Sequence, residues 1–220
     1  MRVLDTIRVI LAARRDRTLQ ERFTRFYRTN AWSDPETRSG PGSRRDSGQV
    51  RDAIEALRGA VEAHGVRSIA DIPCGDFNWM PIFLDAAPDV EYRGFDIVPQ
   101  LIAENRARYP GRRFDALDVT REVPPRADLI FCKDLLNHLC HEDVAAALEN
   151  MRRSGARLLL ASNNFGHPNV DLPRLGPRGS RHLDIMGPPF AAPNPIWRTH
   201  YLGLWRLEDF PQPQGVVRPG

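Results

Sequence analysis

Lysine is almost missing from this chain. Lys133 is the only one in 220 residues, so nearly all of the 31 basic side chains are arginine. Twenty-eight acids are mixed among them and the formal net charge is +3. A nucleic-acid groove calls for clustered basic residues with interleaved aromatics, and that pattern is absent, which argues against a nucleic-acid partner. Cysteine is scarce too. Cys74, Cys132 and Cys140 are odd in number and lack paired spacing, which excludes a disulfide framework and a Cys-based zinc site. No metal is expected. No apolar run reaches the ~18 residues of a membrane helix. Asp5 and Arg8 interrupt the apolar start, and most arginines follow it rather than precede it. A secretory signal has the reverse order, so a cytoplasmic protein is expected.

What is present is a rhythm. Val3, Leu4, Ile7, Ile10 and Leu11, then Leu19, Phe23, Phe26 and Tyr27, predict one or two amphipathic helices over 3–28. A polar loop, TNAWSDPETRSGPGSRRDSG, follows with Trp32 as its one large aromatic. A loop so long in a small chain is expected to serve as a lid over residues 30–46. Val50, Ile54, Leu57 and Val61 mark a helix from Ser47 to about His64, stopped by Gly65. Short apolar strands then alternate with helices: strands at 67–71, 91–96, 113–117, 128–133 and 157–161, helices at 79–84, 99–109 and 141–153. This alternation implies an α/β fold, doubly wound, with a mostly parallel sheet covered on both faces. Residues 163–195 are rich in Pro, Gly and Asn, and Tyr201–Leu207 reads as a strand pairing near 195–199 to close one sheet edge. The expected organisation is a helical segment and lid over 1–46, then one domain over 47–220 with 163–195 as an irregular substrate-side segment.

Chemistry is concentrated at strand ends. Asp71 ends the first strand and leads into Pro73-Cys74-Gly75-Asp76. Asp96 ends the second strand and Asp118 follows the third. Ligands of doubly wound folds bind outside the carboxyl ends of strands, and a carboxylate at the second of them can accept from both hydroxyls of a ribose.

The order DIPCG, FDI, ALDVT and DLIFCKDLLNHL resembles the class I S-adenosylmethionine-dependent methyltransferases. It departs from their glycine turn, since Pro73 and Phe77 stand where two of three glycines are expected. That departure also weakens a nicotinamide reading, because pyrophosphate needs close backbone approach. A narrower resemblance, to a bacterial subgroup, rests on Trp32, the SGPGS of residues 39–43, PCGDFNWM at 73–80, GFDIVP at 94–99, the CKDLLNHL of 132–139, and the later segments 181–183 and 188–193. The resemblance implies a Rossmann-like methyltransferase fold with a seven-stranded sheet and S-adenosyl-L-methionine as cofactor. By the same resemblance Asp71, Pro73, Cys74, Gly75 and Asp76 line the methionine end, and Asp96 holds the ribose with Ile97 against the adenine. Asp118 and Val119 sit at the adenine amino group, and Lys133 and Asp134 lie beside the sulfonium.

Methyl transfer needs alignment and water exclusion more than side-chain chemistry. For a hydroxyl acceptor, His138 is the first candidate base, with Asp134 beside it. Arg181, His182 and Trp32 are the expected substrate contacts, Arg181 as a fork for a carboxylate or phosphate. The acceptor is expected to be a small molecule or glycan. Alternatives are an RNA methyltransferase, suggested by Arg14, Arg15, Arg17, Arg22, Arg25 and Arg28, and a non-catalytic cofactor-binding module. Methylation of exocyclic base nitrogens is disfavoured, because Lys133-Asp134-Leu135-Leu136 replaces the Asn/Asp-Pro-Pro-aromatic turn such enzymes carry.

Overall fold

The computed structural model describes residues 16–176 and 179–211. The part of the expected helical stretch 3–28 that precedes residue 16 lies outside them. Helix α1 (Leu19–Arg28) begins where the Thr18 hydroxyl accepts from the Glu21 N–H. Helix α2 (Gly48–His64) is capped in the same way by Ser47, which accepts from Val50 N at 3.1 Å, and ends at Gly65 in the left-handed region. Strand β1 (Ser68–Asp71), helix α3 (Met80–Ala86), β2 (Glu91–Asp96), α4 (Pro99–Arg108) and β3 (Arg113–Ala116) follow. The chain continues through β4 (Leu129–Cys132), α5 (His141–Arg153), β5 (Leu158–Ser162), β6 (Trp197–Arg198) and β7 (Leu202–Arg206).

The seven strands form one sheet in the order β3-β2-β1-β4-β5-β7-β6. β1 to β5 are parallel, β7 runs antiparallel to β5, and β6 pairs antiparallel with β7. This is the expected fold class, with the expected hairpin at one edge. The order reverses between β1 and β4, where doubly wound folds bind ligands.

Successive strand residues point to opposite faces. In β4, Leu129 and Phe131 join one core with Leu57 of α2, Phe83 of α3 and Ile102 of α4. Ile130 and Cys132 join the other with Val144 and Met151 of α5 and Trp205 of β7. The two buried layers are why β4 (LIFC) and most of β5 (LLLAS) read as continuously apolar. Strand β4 stops at Cys132, one residue short of expectation, because Asp134 takes a positive φ of 56° and turns the chain out of the ladder. Among the described residues no helix is long and apolar enough to cross a membrane, and no cluster of His, Cys, Asp or Glu is arranged to hold a metal ion. All three cysteines are free and buried.

Candidate cofactor and acceptor site

The turn after β1 is built for close approach. Gly75 has φ +53°, and a Cβ there would meet Ser39 Oγ at 2.3 Å. Its N–H donates to Asp96 Oδ2 at 3.3 Å, and its carbonyl accepts from Asn105 at 2.8 Å. Asp96 Oδ1 accepts from Val98 N at 3.0 Å. Burial dominates at Asp96 and pushes its carboxyl up to about 6, although the hydrogen bonds from Val98 and Gly75 oppose this. Asp71 is deeper. Burial raises it to about 8, against the hydrogen bond donated by Tyr92 at 2.7 Å and the charge of Lys133. Asp118 is half-buried and accepts from both the N–H and the hydroxyl of Thr120. Burial pushes the Cys74 thiol well up, so it is a packing group and not a nucleophile.

These acids line one cavity together with Pro73, Cys74, Gly75, Asp76, Ile97, Val119, Lys133, Asp134, His138 and Trp32. All the residues expected at the cofactor, and the expected base, therefore meet in one place. Trp79 also lines this cavity, although it is buried and packs edge-on against Phe131.

The Gly/Ser/Pro-rich loop takes a defined path across this cavity. Asp76 accepts from the Thr37 hydroxyl, the Arg38 N–H at 2.7 Å and the Ser39 hydroxyl at 3.0 Å. Its carboxylate is thus taken up by the loop. Asn78 donates to Glu36 and to the Ser43 carbonyl. Lys133 Nζ donates to the Gly42 carbonyl at 3.0 Å and to Asp134. Trp32 stands against the His138 ring, with centroids 5.0 Å apart.

Burial would raise Asp134, but Lys133 and the Tyr201 hydroxyl outweigh it and hold the carboxyl below its ordinary range. Asp134 is an ionised, fully engaged group and a poor proton acceptor. His138 is better suited. Burial lowers its pKa, and its Nδ1 lies 2.7 Å from the Gly179 carbonyl. A carbonyl can only accept, so Nδ1 carries the proton and Nε2 the lone pair.

A second, polar cavity lies beyond Asp134. Arg181 and His182 line it, with Gln49, Asn137 and Tyr201. The expected substrate contacts are therefore divided: Trp32 and His138 face the first cavity, Arg181 and His182 the second, and only Asp134 lines both. The turn 136–138 separates them, because Arg181 is bonded to it through Leu136 O and Asn137 O. Gln49, Asn137 and Tyr201 were not anticipated. Gln49 stands in the first turn of α2, directly after the glycine-rich loop, a position that could have flagged it. Asn137 stands in the CKDLLNHL segment beside His138; nothing local marks Tyr201.

The N-terminal arginines do not form a phosphate-facing stripe among the described residues. Arg22 is fully buried and donates to the carbonyls of His138 and Arg174. Arg25 pairs with Asp16, and Arg28 bonds Gln100. Arg14 and Arg15 lie outside the described residues.

Comparison with known proteins agrees with the sheet. Residues 70–156 match a family model described as a methyltransferase domain. A trans-aconitate 2-methyltransferase from Methylobacterium nodulans is 31% identical over 150 residues, covering 66% of this chain and 54% of the relative. The chain thus spans about half the length of that curated relative. Magnesium protoporphyrin IX methyltransferase from Synechocystis PCC 6803, solved with bound SAH, is 15% identical with a TM-score of 0.50, over 84% of this chain and 91% of that one. The sheet is that of the Rossmann-like methyltransferase fold.

Proposed function

We propose that this chain is an S-adenosylmethionine-dependent methyltransferase that moves a methyl group to an oxygen of a small-molecule acceptor. The observation that carries the reading is the convergence of Asp71, Asp96 and Asp118 on one cavity at the switch point of the sheet. In this reading Asp96 accepts from the ribose hydroxyls with the lone pairs that Gly75 and Val98 leave open. Ile97 and Val119 pack on the adenine and Asp118 accepts from its amino group. Asp71, Pro73, Cys74 and Gly75 surround the methionine end, while Asp76 acts through the loop it holds. Lys133 keeps Asp134 ionised near the sulfonium and ties Gly42 over the site.

Transfer is an in-line displacement. Held between Asp71, Asp96 and Asp118, S-adenosylmethionine would supply a sulfonium-activated methyl carbon, and its sulfur would leave with the electron pair as the acceptor oxygen takes the methyl group. For a hydroxyl acceptor the proton passes to His138 Nε2. Support for a small molecule comes from the relative named for trans-aconitate. Support for a base comes from the tautomer that Gly179 imposes on His138. Calorimetric titration with S-adenosylhomocysteine and, separately, NAD tests the cofactor assignment. The former should bind and the latter should not; the opposite result would sink it.

A further inference from the structure

Arg181 holds its side chain in an unusual state. Its Nη1 donates to the Leu136 carbonyl at 3.4 Å, a long bond that a small turn of the guanidinium toward the cavity would give up. Its Nε and Nη2 are shielded from solvent and have no hydrogen-bond partner. Those two nitrogens carry the parallel N–H bonds that meet a carboxylate side-on. Among the described residues no acid lies within ion-pair distance of it, and the nearby acids are committed elsewhere. Asp184 accepts from Asn163, Gly166 and Met186. Asp171 accepts from His141 and Leu172. A guanidinium stays charged in any protein, so an unmet buried fork is a standing penalty that an oxyanion would relieve.

The same cavity holds a second orphan, the buried Asn137 Oδ1, which can only accept. Gln49, Ser162, Asn164 and Tyr201 add neutral polar groups. Asp134 is the one acid of the wall and is paired with Lys133. The wall therefore offers one positive charge with no ion-pair partner, moderated by Asp171 outside the wall, which suits a singly charged carboxylate better than a phosphate dianion beside Asp134.

We propose that the cavity beyond Asp134 is a carboxylate-binding subsite, with the Nε–Nη2 edge of Arg181 as its fork and Asn137 Oδ1 accepting from a hydroxyl of the same ligand. The methyl acceptor is then a small hydroxylated carboxylic acid, anchored in this cavity and reaching past Asp134 toward the cofactor. The assignment of the ligand as methyl acceptor rests on the methyltransferase reading; the subsite itself does not.

The test is calorimetry on the full chain, saturated with S-adenosylhomocysteine. The titrants are a panel of small hydroxy- and dicarboxylic acids, their matched amides, and inorganic phosphate. At least one acid should bind, with its amide at least tenfold weaker. Arg181→Lys, which keeps the charge but loses the fork, should weaken that acid about ten- to a hundredfold, while affinity for S-adenosylhomocysteine stays within twofold. The proposal falls if no acid binds, if amides bind as well as acids, or if Arg181→Gln binds the acid like the unaltered chain. Binding of phosphate alone overturns the carboxylate assignment. Failure of S-adenosylhomocysteine to bind would remove the cofactor reading, and the acid-against-amide comparison on the cofactor-free chain would still decide the subsite.

Discussion

Replacing Asp96 by Asn should do two opposite things. Burial holds the Asp96 carboxyl at about 6 instead of 3.8. The folded chain therefore keeps a proton in a pH range where the unfolded chain has lost it. Stability from this group is fully present below the ordinary carboxylate range and is lost as pH rises through about 6. The gap between the two values corresponds to roughly 3 kcal/mol at neutral pH. Asn carries no charge to desolvate, but its one amide oxygen can accept from Gly75 or Val98 and not from both, which returns about 1 kcal/mol. Cofactor-free Asp96→Asn should thus be more stable than the unaltered chain at pH 7, by up to ~2 kcal/mol, and should lose that advantage near pH 4. Cofactor affinity should move the other way. A ribose diol needs the ionised carboxylate, of which about one in eleven is present at pH 5 and about ten in eleven at pH 7. Affinity for S-adenosylhomocysteine should therefore rise about tenfold over that interval. In Asp96→Asn that rise should vanish, and affinity at pH 7 should drop by tenfold or more. Asp71, which burial holds at about 8 with the Asp96 charge adding to the rise, titrates through the same interval, so both chains are compared in an Asp71→Asn background that removes its contribution. Calorimetry at pH 5, 6, 7 and 8 and denaturant melts at the same values read both effects. An Asp96→Asn chain whose affinity still climbs tenfold from pH 5 to 7 would refute the ribose assignment.

Gly75→Ala forces a Cβ into the left-handed region and against Ser39 Oγ; a loss of about 1–2 kcal/mol in a denaturant melt is expected, with weaker S-adenosylhomocysteine binding. Thr37→Val with Ser39→Ala removes two hydroxyl donors to Asp76, so amide exchange over residues 37–43 should quicken in the cofactor-free chain and slow on addition of S-adenosylhomocysteine; equal exchange in every state would remove the lid idea. His138→Ala should lower turnover roughly 10²–10⁴-fold once an acceptor with a hydroxyl is in hand, leaving cofactor affinity intact, and a turnover within threefold of the unaltered enzyme would dismiss it as the base.

Much of this was legible in the chain itself. Strand positions and the strand-end acids are local properties, set by apolar runs and the residues that stop them, and Asp71, Asp96 and Asp118 meet as expected. The loop over 30–46 was legible in composition but not in conformation. Its path is set by Asp76 and Asn78, whose carboxylate and amide bind loop atoms some forty residues earlier, and no sequence pattern reports such pairings. The acceptor side was half legible. Arg181 was visible as an arginine in an irregular segment, yet its separation from His138 follows from backbone contacts to the 136–138 turn. Tyr201 reaches Asp134 across 67 residues because β7 returns beside β5, a consequence of topology alone.

The scarcity of lysine acquires a use once its position is known. Lys133 is buried to 6% exposure, and its ammonium is held by a carbonyl of the glycine-rich loop. Lifting of Gly42 would free that nitrogen for an amine-directed reagent. With no other lysine in the chain, the only competing amine is the one at the amino terminus, which peptide mass separates. The rate of modification at Lys133 is therefore a clock for loop opening that needs no engineered label, read in the unaltered protein with and without each ligand.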